Sequence, residues 1–241
     1  MIAIEIKGLT KKYKDIIAVD NLNLEINKGE LFSLLGVNGA GKTTTIKMLI
    51  CLIAATSGDA KLNGLSIINN SNKLKEIINV SPQETAIAPN LTVKENLEFI
   101  AEIYKVKNKE DKILNLLKKF KLDNVANKKA KTLSGGWQRR LSIAMSTIND
   151  PEILFLDEPT LGLDVIARRE LWGIIRELKE KTTIILTTHY MEEAEKLSDR
   201  IGIMANGKLI DVGTPNELIN KVNAQNFENA FVKIASGGNL E

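Results

Sequence analysis

The residues whose spacing could do chemistry begin at Gly36-Val37-Asn38-Gly39-Ala40-Gly41-Lys42-Thr43-Thr44, a G-x-x-x-x-G-K-T run. Glycines let consecutive backbone N–H groups turn toward one point. A helix starting there adds partial positive charge, so the run reads as an anion cradle. Lys42 is placed to reach β- and γ-phosphates, and the Thr43 hydroxyl to sit on Mg²⁺. A turn matching this pattern by chance is expected on the order of once in a hundred chains of this length, with glycine near ~7% of residues. The flanks strengthen the reading. Leu31-Phe32-Ser33-Leu34-Leu35 is an apolar run of strand length, and Thr44 to Ile50 is a plausible helix. A nucleoside triphosphate is the expected ligand.

Further groups select among phosphate-loop chemistries. Ile153-Leu154-Phe155-Leu156 is followed by Asp157 and Glu158. Asp157, at the strand end, suits Mg²⁺, directly or through water. Glu158 suits a general base that polarises an attacking water. Two carboxylates at a strand end are otherwise a helix cap or a turn, and the continuous apolar strand with a phosphate loop upstream argues against that. His189, the only histidine, also closes an apolar strand, Thr183-Ile184-Ile185-Leu186-Thr187-Thr188. A lone histidine is more often structural, but the C-terminal end of a parallel strand is where such sheets bind ligands. Gln83 closes another strand and offers an amide to Mg²⁺ or to the water; alone it decides nothing. Leu133-Ser134-Gly135-Gly136 opens a further helix. It is either an ordinary N-cap by Ser134 or a second anion-binding helix start. One nucleotide needs one cradle, so the second makes sense if it caps a γ-phosphate held by another copy.

These residues need a sheet edge to meet on. Residues 2–7 alternate like a half-buried strand, Leu9 to Asp15 reads as polar and turn-like, and Ala18 to Ile26 alternates again. Asn27-Lys28-Gly29-Glu30 reads as a hairpin turn into the strand before the phosphate loop. A short strand and turn is expected over 57–68 and a helix from Lys73 to Ile78. From Thr92 to Phe120 the period is helical, with Leu97, Ile100, Ala101 and Tyr104 on one face and Ile113, Leu116, Leu117 and Phe120 on another. Thr92 and Glu95 have capping-box spacing. This block interrupts the α/β pattern as a helical subdomain inserted at about 84–150. Continuous apolar strands at 153–157 and 183–188 fit a buried parallel sheet. Helices are expected at about 165–180 and 192–197, a hairpin around Asn206-Gly207, and a last helix from Thr214-Pro215. The expectation is an α/β phosphate-loop core with an N-terminal antiparallel β subdomain. It forms one nucleotide-binding domain over 1–225 with a tail at 226–241, whose end, from Ser236, is expected to fray and whose Leu240-Glu241 reads as an appended remnant.

Composition narrows the partners. The 241 residues carry 33 basic and 30 acidic side chains, net +3, too balanced to argue for nucleic acid. Asn127-Lys128-Lys129-Ala130-Lys131 reads as a solvated basic loop. A single cysteine, Cys51, excludes an internal disulfide, fits a reducing compartment and is expected to be a small buried apolar side chain. No apolar run approaches the ~18 residues of a membrane span, and the N-terminus lacks a signal-peptide layout. A cytoplasmic protein is expected, borrowing any membrane part it uses.

The motifs, in this order and over nearly the whole chain, resemble the ATP-binding cassette (ABC) ATPases. The resemblance implies that Tyr13 stacks on adenine, that residues 36–43 are the phosphate loop, and that Gln83 marks the Q-loop and residues 133–136 the signature. It makes Asp157-Glu158 the Walker B pair, Leu161-Gly162-Leu163-Asp164 the D-loop and His189 the switch histidine. Trp137 departs from the glutamine many members carry, with Gln138 one place later. The LGLD form, Arg139-Arg140 and the closing Asn226-Phe227-Glu228-Asn229-Ala230-Phe231 are similar to the exporter branch that works with separate ABC-2-type membrane subunits. ATP and Mg²⁺ are the implied cofactors. The implied partners are a transmembrane permease, at the cytoplasmic face of the membrane, and a second cassette, identical or not. A soluble ABC ATPase acting on nucleic acid or the ribosome is the alternative. It is expected to show two cassettes or a long coiled coil between phosphate loop and signature, and neither is here. A nucleotide-binding regulatory module without turnover would not need Glu158 and His189.

Overall fold

A computed structural model of the chain describes residues 1–237. The last four residues, including Leu240-Glu241, lie outside the described residues. Strands β1 (Ile2–Tyr13), β2 (Ile16–Asn27), β4 (Ser57–Leu62) and β5 (Leu65–Ser66) form an antiparallel sheet in the order β2-β1-β4-β5. Strand β3 (Leu31–Leu35) belongs to a second sheet with β6 (Ile78–Ser81), β7 (Ile153–Asp157), β8 (Thr183–Thr188), β9 (Arg200–Ala205) and β10 (Lys208–Gly213). Its order is β10-β9-β3-β8-β7-β6, parallel except for the edge strand β10.

The apolar runs at β3, β7 and β8 are buried along their whole lengths because both faces of this sheet are covered. Phe32, Ile153, Phe155 and Ile185 point into a core shared with the antiparallel sheet and with helix α1 (Lys42–Leu49). Leu154, Leu156, Ile184 and Leu186 point the other way. There they meet the helical side, made by α3 (Val93–Ile103), α4 (Lys109–Lys119), α5 (Gly135–Ser146) and α6 (Val165–Lys179). Short α2 (Ser71–Ile77) precedes β6, and α7 (Met191–Leu197) follows β8.

The helical block takes its local form from its ends. The Thr92 hydroxyl accepts from the Glu95 N–H and the Glu95 carboxylate accepts from the Thr92 N–H at 2.7 Å, the expected capping box. Acidic Glu110 and Asp111 start α4 and Lys118 and Lys119 end it, each set against the helix dipole it meets. Between α3 and α4 the chain turns through Lys105 and Asn108, both with positive φ, so the helical period is broken where no sequence breaker marks it. The basic loop at 127–131 is tied down by its backbone: the Val93 N–H donates to the Lys128 carbonyl and Ala130 is fully buried.

Four local expectations change. Leu9 to Tyr13 is not a turn but the second half of β1, running past a bulge near Gly8 to pair Tyr13 with Ile16; the reversal is at Lys14-Asp15. Asn27 to Glu30 is not a hairpin. It is a corner between two sheets, because Leu31–Leu35 is apolar on both faces and takes the middle of the parallel sheet instead of pairing with β2. Arg200 anchors the corner, donating to both Glu30 carboxylate oxygens and to the Glu25 carbonyl. Cys51 is half-buried with positive φ, its thiol donating to the Ile67 carbonyl, so it is a turn residue at the core's edge. The stretch set apart as a tail contains α9 (Phe227–Ala235). With α8 (Pro215–Lys221) it buries Phe227, Phe231 and Ile234 against Leu218, Ile201 and Ile203. The hairpin at Asn206-Gly207 is as expected, both residues at the positive φ that its tight turn requires.

Candidate functional site

Parallel strands deliver their C-terminal ends to one edge. β3 ends at Leu35 beside Thr188 of β8, and Asp157 of β7 lies beside Thr187. The phosphate loop, the Asp157-Glu158 pair and His189 therefore emerge together, as ligand-binding groups do in open α/β sheets. They line a cavity of about 320 Å³ with Ala18, Asn38 to Thr44, Gln83, Glu158, Leu161 and His189 on its walls.

Two glycines in the loop have no room for a side chain. A Cβ on Gly36 would lie 2.4 Å from the Met204 carbonyl oxygen. Gly41 has φ 102, and its Cβ would meet the Ala18 carbonyl oxygen at 2.5 Å. Gly41 is also the cap of α1, with no side chain on the helix's first N–H groups, which leaves them for an anion. Lys42 donates to the Gly36 and Val37 carbonyls at 2.7 and 3.2 Å, which bends its ammonium back over the loop.

The same ammonium is 3.5 Å from Glu158 Oε1, with both side chains buried. The other oxygen, Oε2, is 2.7 Å from His189 Nδ1. Glu158 is a non-glycine residue at φ 49, and such a conformation costs of order 1–3 kcal/mol and concentrates at working sites. Its N–H donates to both the Thr187 carbonyl and the Thr187 hydroxyl at 3.1 Å, which fixes the turn. Asp157 accepts from the Thr43 hydroxyl at 3.1 Å and from the Thr187 hydroxyl. A hydroxyl and a carboxylate oxygen thus meet at the mouth of the cradle, the hard oxygen set that Mg²⁺ takes together with substrate phosphates.

Three residues that the sequence did not place at the site hold this arrangement. Arg139, buried on α5, donates to the Pro82 and Gln83 carbonyls and so fixes the loop that carries Gln83. Burial pushes the Arg139 pKa down, with Asp157 and Glu193 opposing. Thr187 ties Asp157 to Glu158. Glu193, fully buried on α7, accepts from the Trp172 indole at 3.0 Å. Burial raises its carboxyl pKa, while the hydrogen bond from the Trp172 indole pulls the other way. A threonine pair closing an apolar strand was a visible signal for Thr187; the Arg139-Arg140 pair stood out without pointing to the Gln83 loop, and nothing local marks Glu193.

Some expected residues lie elsewhere. Tyr13 is 47% exposed at the end of β1, with the Lys11 ammonium over its ring, and does not line the cavity. Ser134, Gly136 and Asp164 line a separate groove with Trp137, Arg140 and Glu170. Ser134 starts α5 without using its side chain as a cap, and Ser134 and Gly135 are exposed, so this helix start faces outward. The Asp164 carboxylate caps α6, accepting from the Ile166 and Ala167 N–H groups. Trp137 stacks under Arg140, whose guanidinium pairs with Glu170.

A phosphate loop whose lysine faces a carboxylate from a neighbouring parallel strand, in a mixed α/β core with an antiparallel β sheet and a helical part, defines a P-loop nucleotide-binding cassette. The chain belongs to the ABC transporter family, which matches residues 19–161. It is 42% identical over 218 residues to the probable multidrug ABC transporter ATP-binding protein YbhF of Escherichia coli, covering 89% of this chain and 38% of that protein. It is 39% identical over 219 residues to the Nod factor export ATP-binding protein I of Ralstonia nicotianae, covering 90% of this chain and 68% of that one. The fold is similar, at a TM-score of 0.80 and 28% identity over 88% of this chain and 98% of the other, to a dimeric ATP-binding cassette in a post-hydrolysis state bound to ADP and Pi. The chain thus spans less than half the length of YbhF, the first of these relatives.

Proposed function

We propose that this chain is the ATP-hydrolysing subunit of an ABC exporter. In this reading it pairs with a second cassette around two ATP molecules and drives a separate membrane-spanning partner from the cytoplasmic face. The observation that carries the reading is the convergence of Lys42 and His189 on the two oxygens of Glu158. The ammonium supplies charge to the β- and γ-phosphate oxygens, and the loop N–H groups bind the rest. Thr43, Asp157 and Gln83 would hold Mg²⁺, which supplies charge neutralisation on the phosphates when bound. Glu158 takes a proton from water as the water oxygen bonds to the γ-phosphorus and the bond to the β-phosphate oxygen breaks, giving ADP and phosphate. His189, which lines the cavity, orients the carboxylate through Nδ1. Tyr13, exposed at the end of β1, serves as the adenine platform.

Ser134, Gly135, Gly136 and Asp164 act on the nucleotide of the second cassette. Their groove is separate from the phosphate-loop cavity, and the start of α5 is exposed and not capped by its own serine. Residues 84–150 form the helical lobe that presents them. No helix among the described residues is long and apolar enough to cross a membrane. Export is favoured over import by the similarity to a Nod factor export protein.

The test is ATP binding and turnover by the wild type and Lys42→Ala. Each charge-assisted hydrogen bond is worth about 1.5–3 kcal/mol, so affinity should fall at least ~10-fold and toward ~10²-fold. Unchanged binding would remove the cradle assignment. Capture of a membrane protein rather than nucleic acid by the tagged wild type tests the transport half.

A further inference from the structure

Tyr190 follows the switch histidine and starts α7 without capping it. Its ring lies 4.2 Å from the His189 ring, centroid to centroid, tilted by 39°. The Arg168 guanidinium lies over the Tyr190 ring at 4.4 Å from its centroid. The tyrosine thus contacts both a cation and the imidazole that touches Glu158. Arg168 sits one turn into α6, and its N–H donates to the carbonyl of Asp164, the α6 cap. Its Nε is buried and has no hydrogen-bond partner among the described residues. Hydrogen bonding therefore does not account for that end of the guanidinium, and the aromatic face does. A cation over an aromatic face is worth about 0.5–1 kcal/mol when exposed and ~2 when desolvated. The backbone keeps the ring in place, since the Tyr190 N–H donates to the Thr188 hydroxyl at 2.9 Å.

We propose that Tyr190 and Arg168 are positioning residues for hydrolysis, holding the His189 imidazole on Glu158 and tying it to the start of α6 at Asp164. This rests on the ATPase reading above. The contacts run from Asp164 along one helical turn to Arg168, across the Tyr190 ring to His189, and so to Glu158 Oε2. Helix α6 is a stiff 15-residue element packed by Leu171, Trp172, Ile174, Ile175 and Leu178. A displacement at its first turn is carried to Arg168 rather than absorbed. A second cassette that touches the Asp164 segment would then set the aim of His189 in this chain. Neither Tyr190 nor Arg168 lines the phosphate-loop cavity, so both act through His189.

The test is a kinetic double-mutant cycle on the purified full chain with ATP and Mg²⁺. Tyr190→Leu removes the ring. It should lower kcat by about 10–100-fold, the scale of a small misplacement of a catalytic group, with little change in KM for ATP or in Tm. Tyr190→Phe keeps the ring and should restore most of the turnover, because the hydroxyl makes no hydrogen bond among the described residues. Arg168→Gln should lower kcat in the same direction, and it serves in place of Tyr190→Leu should that variant not fold. In a His189→Ala background neither substitution should cost anything further, since there is no imidazole left to aim. Losses that add to that of His189→Ala, or wild-type kcat in both Tyr190→Leu and Arg168→Gln, overturn the proposal. Wild-type turnover in His189→Ala overturns the catalytic reading of the pair as well, which separates the two failures.

Discussion

His189 Nδ1 stands 2.7 Å from Glu158 Oε2, although the two residues are 31 positions apart and leave different strands. The opposite carboxylate oxygen faces Lys42. A carboxylate gripped at both oxygens is aimed, and aim is what a general base needs. Glu158→Gln keeps the shape but cannot take the proton. Turnover should fall by about 10²–10⁴, with ATP binding retained through Lys42, Thr43 and Asp157. Uncleaved ATP held between two copies favours the dimer by linkage. Size-exclusion with light scattering, with ATP, with ADP and without nucleotide, should show a dimer with ATP alone. Wild-type turnover in this variant would remove Glu158 from its role.

Ser134→Arg tests the outward-facing start of α5. Its groove is separate from the phosphate-loop cavity, so monomer affinity for ATP should stay within about threefold while hydrolysis is lost, a difference of under ~1 kcal/mol against a blocked second site. Equilibrium binding and steady-state turnover on one preparation separate the two. A large loss of monomer affinity would mean that both helix starts serve one nucleotide.

Glu193 predicts a pH dependence of stability. Burial raises its carboxyl pKa in the folded chain above the unfolded value of ~4.3. Between those two values the folded state binds more protons than the unfolded one, so this group's contribution to stability falls as pH rises through that window. Glu193→Gln stays neutral and can still accept from the Trp172 indole. It should melt above the wild type at about pH 7, and the gap should close as pH falls toward ~4.3. Thermal melts of both proteins across this range measure it. A gap that grows toward acid would mean the carboxyl is held ionised.

Phe227→Ala tests whether α9 belongs to the folded unit. Phe227 is 1% exposed and packs with Phe231 and Ile234 against β9 and α8. Emptying such a site costs about 3–5 kcal/mol. Denaturant unfolding should show a loss of that size in the main transition, with the phosphate-loop site intact in the folded protein. A loss below ~1 kcal/mol would mean that the helix is a loose appendage.

Much of the site is local and was legible as such. A glycine run before Lys42-Thr43, an apolar strand ending in Asp157-Glu158 and another ending in His189 each carry their meaning within a few residues. Turn chemistry and side-chain period are short-range properties. The capping box at Thr92 and the Asn206-Gly207 turn were legible for the same reason. Other features depended on partners far along the chain. The corner at Asn27–Glu30 looks like any hairpin until β3 is seen between β8 and β9. Leu9–Tyr13 reads as polar because the strands it pairs with are half-exposed at that end.

By itself, then, the amino-acid order determined which candidate groups stand at which strand ends, since each depends on neighbours a few positions away. Tertiary structure decided that Thr43 meets Asp157 across 114 residues. It also decided that Arg139 clamps the Gln83 loop and that Arg168 covers Tyr190 beside His189. Those contacts follow from the order and parallel register of β3, β7 and β8, which is chosen by burial of whole strands on both faces. No short stretch encodes that choice, because the free energy of burying Leu154 or Ile184 depends on every element that covers them.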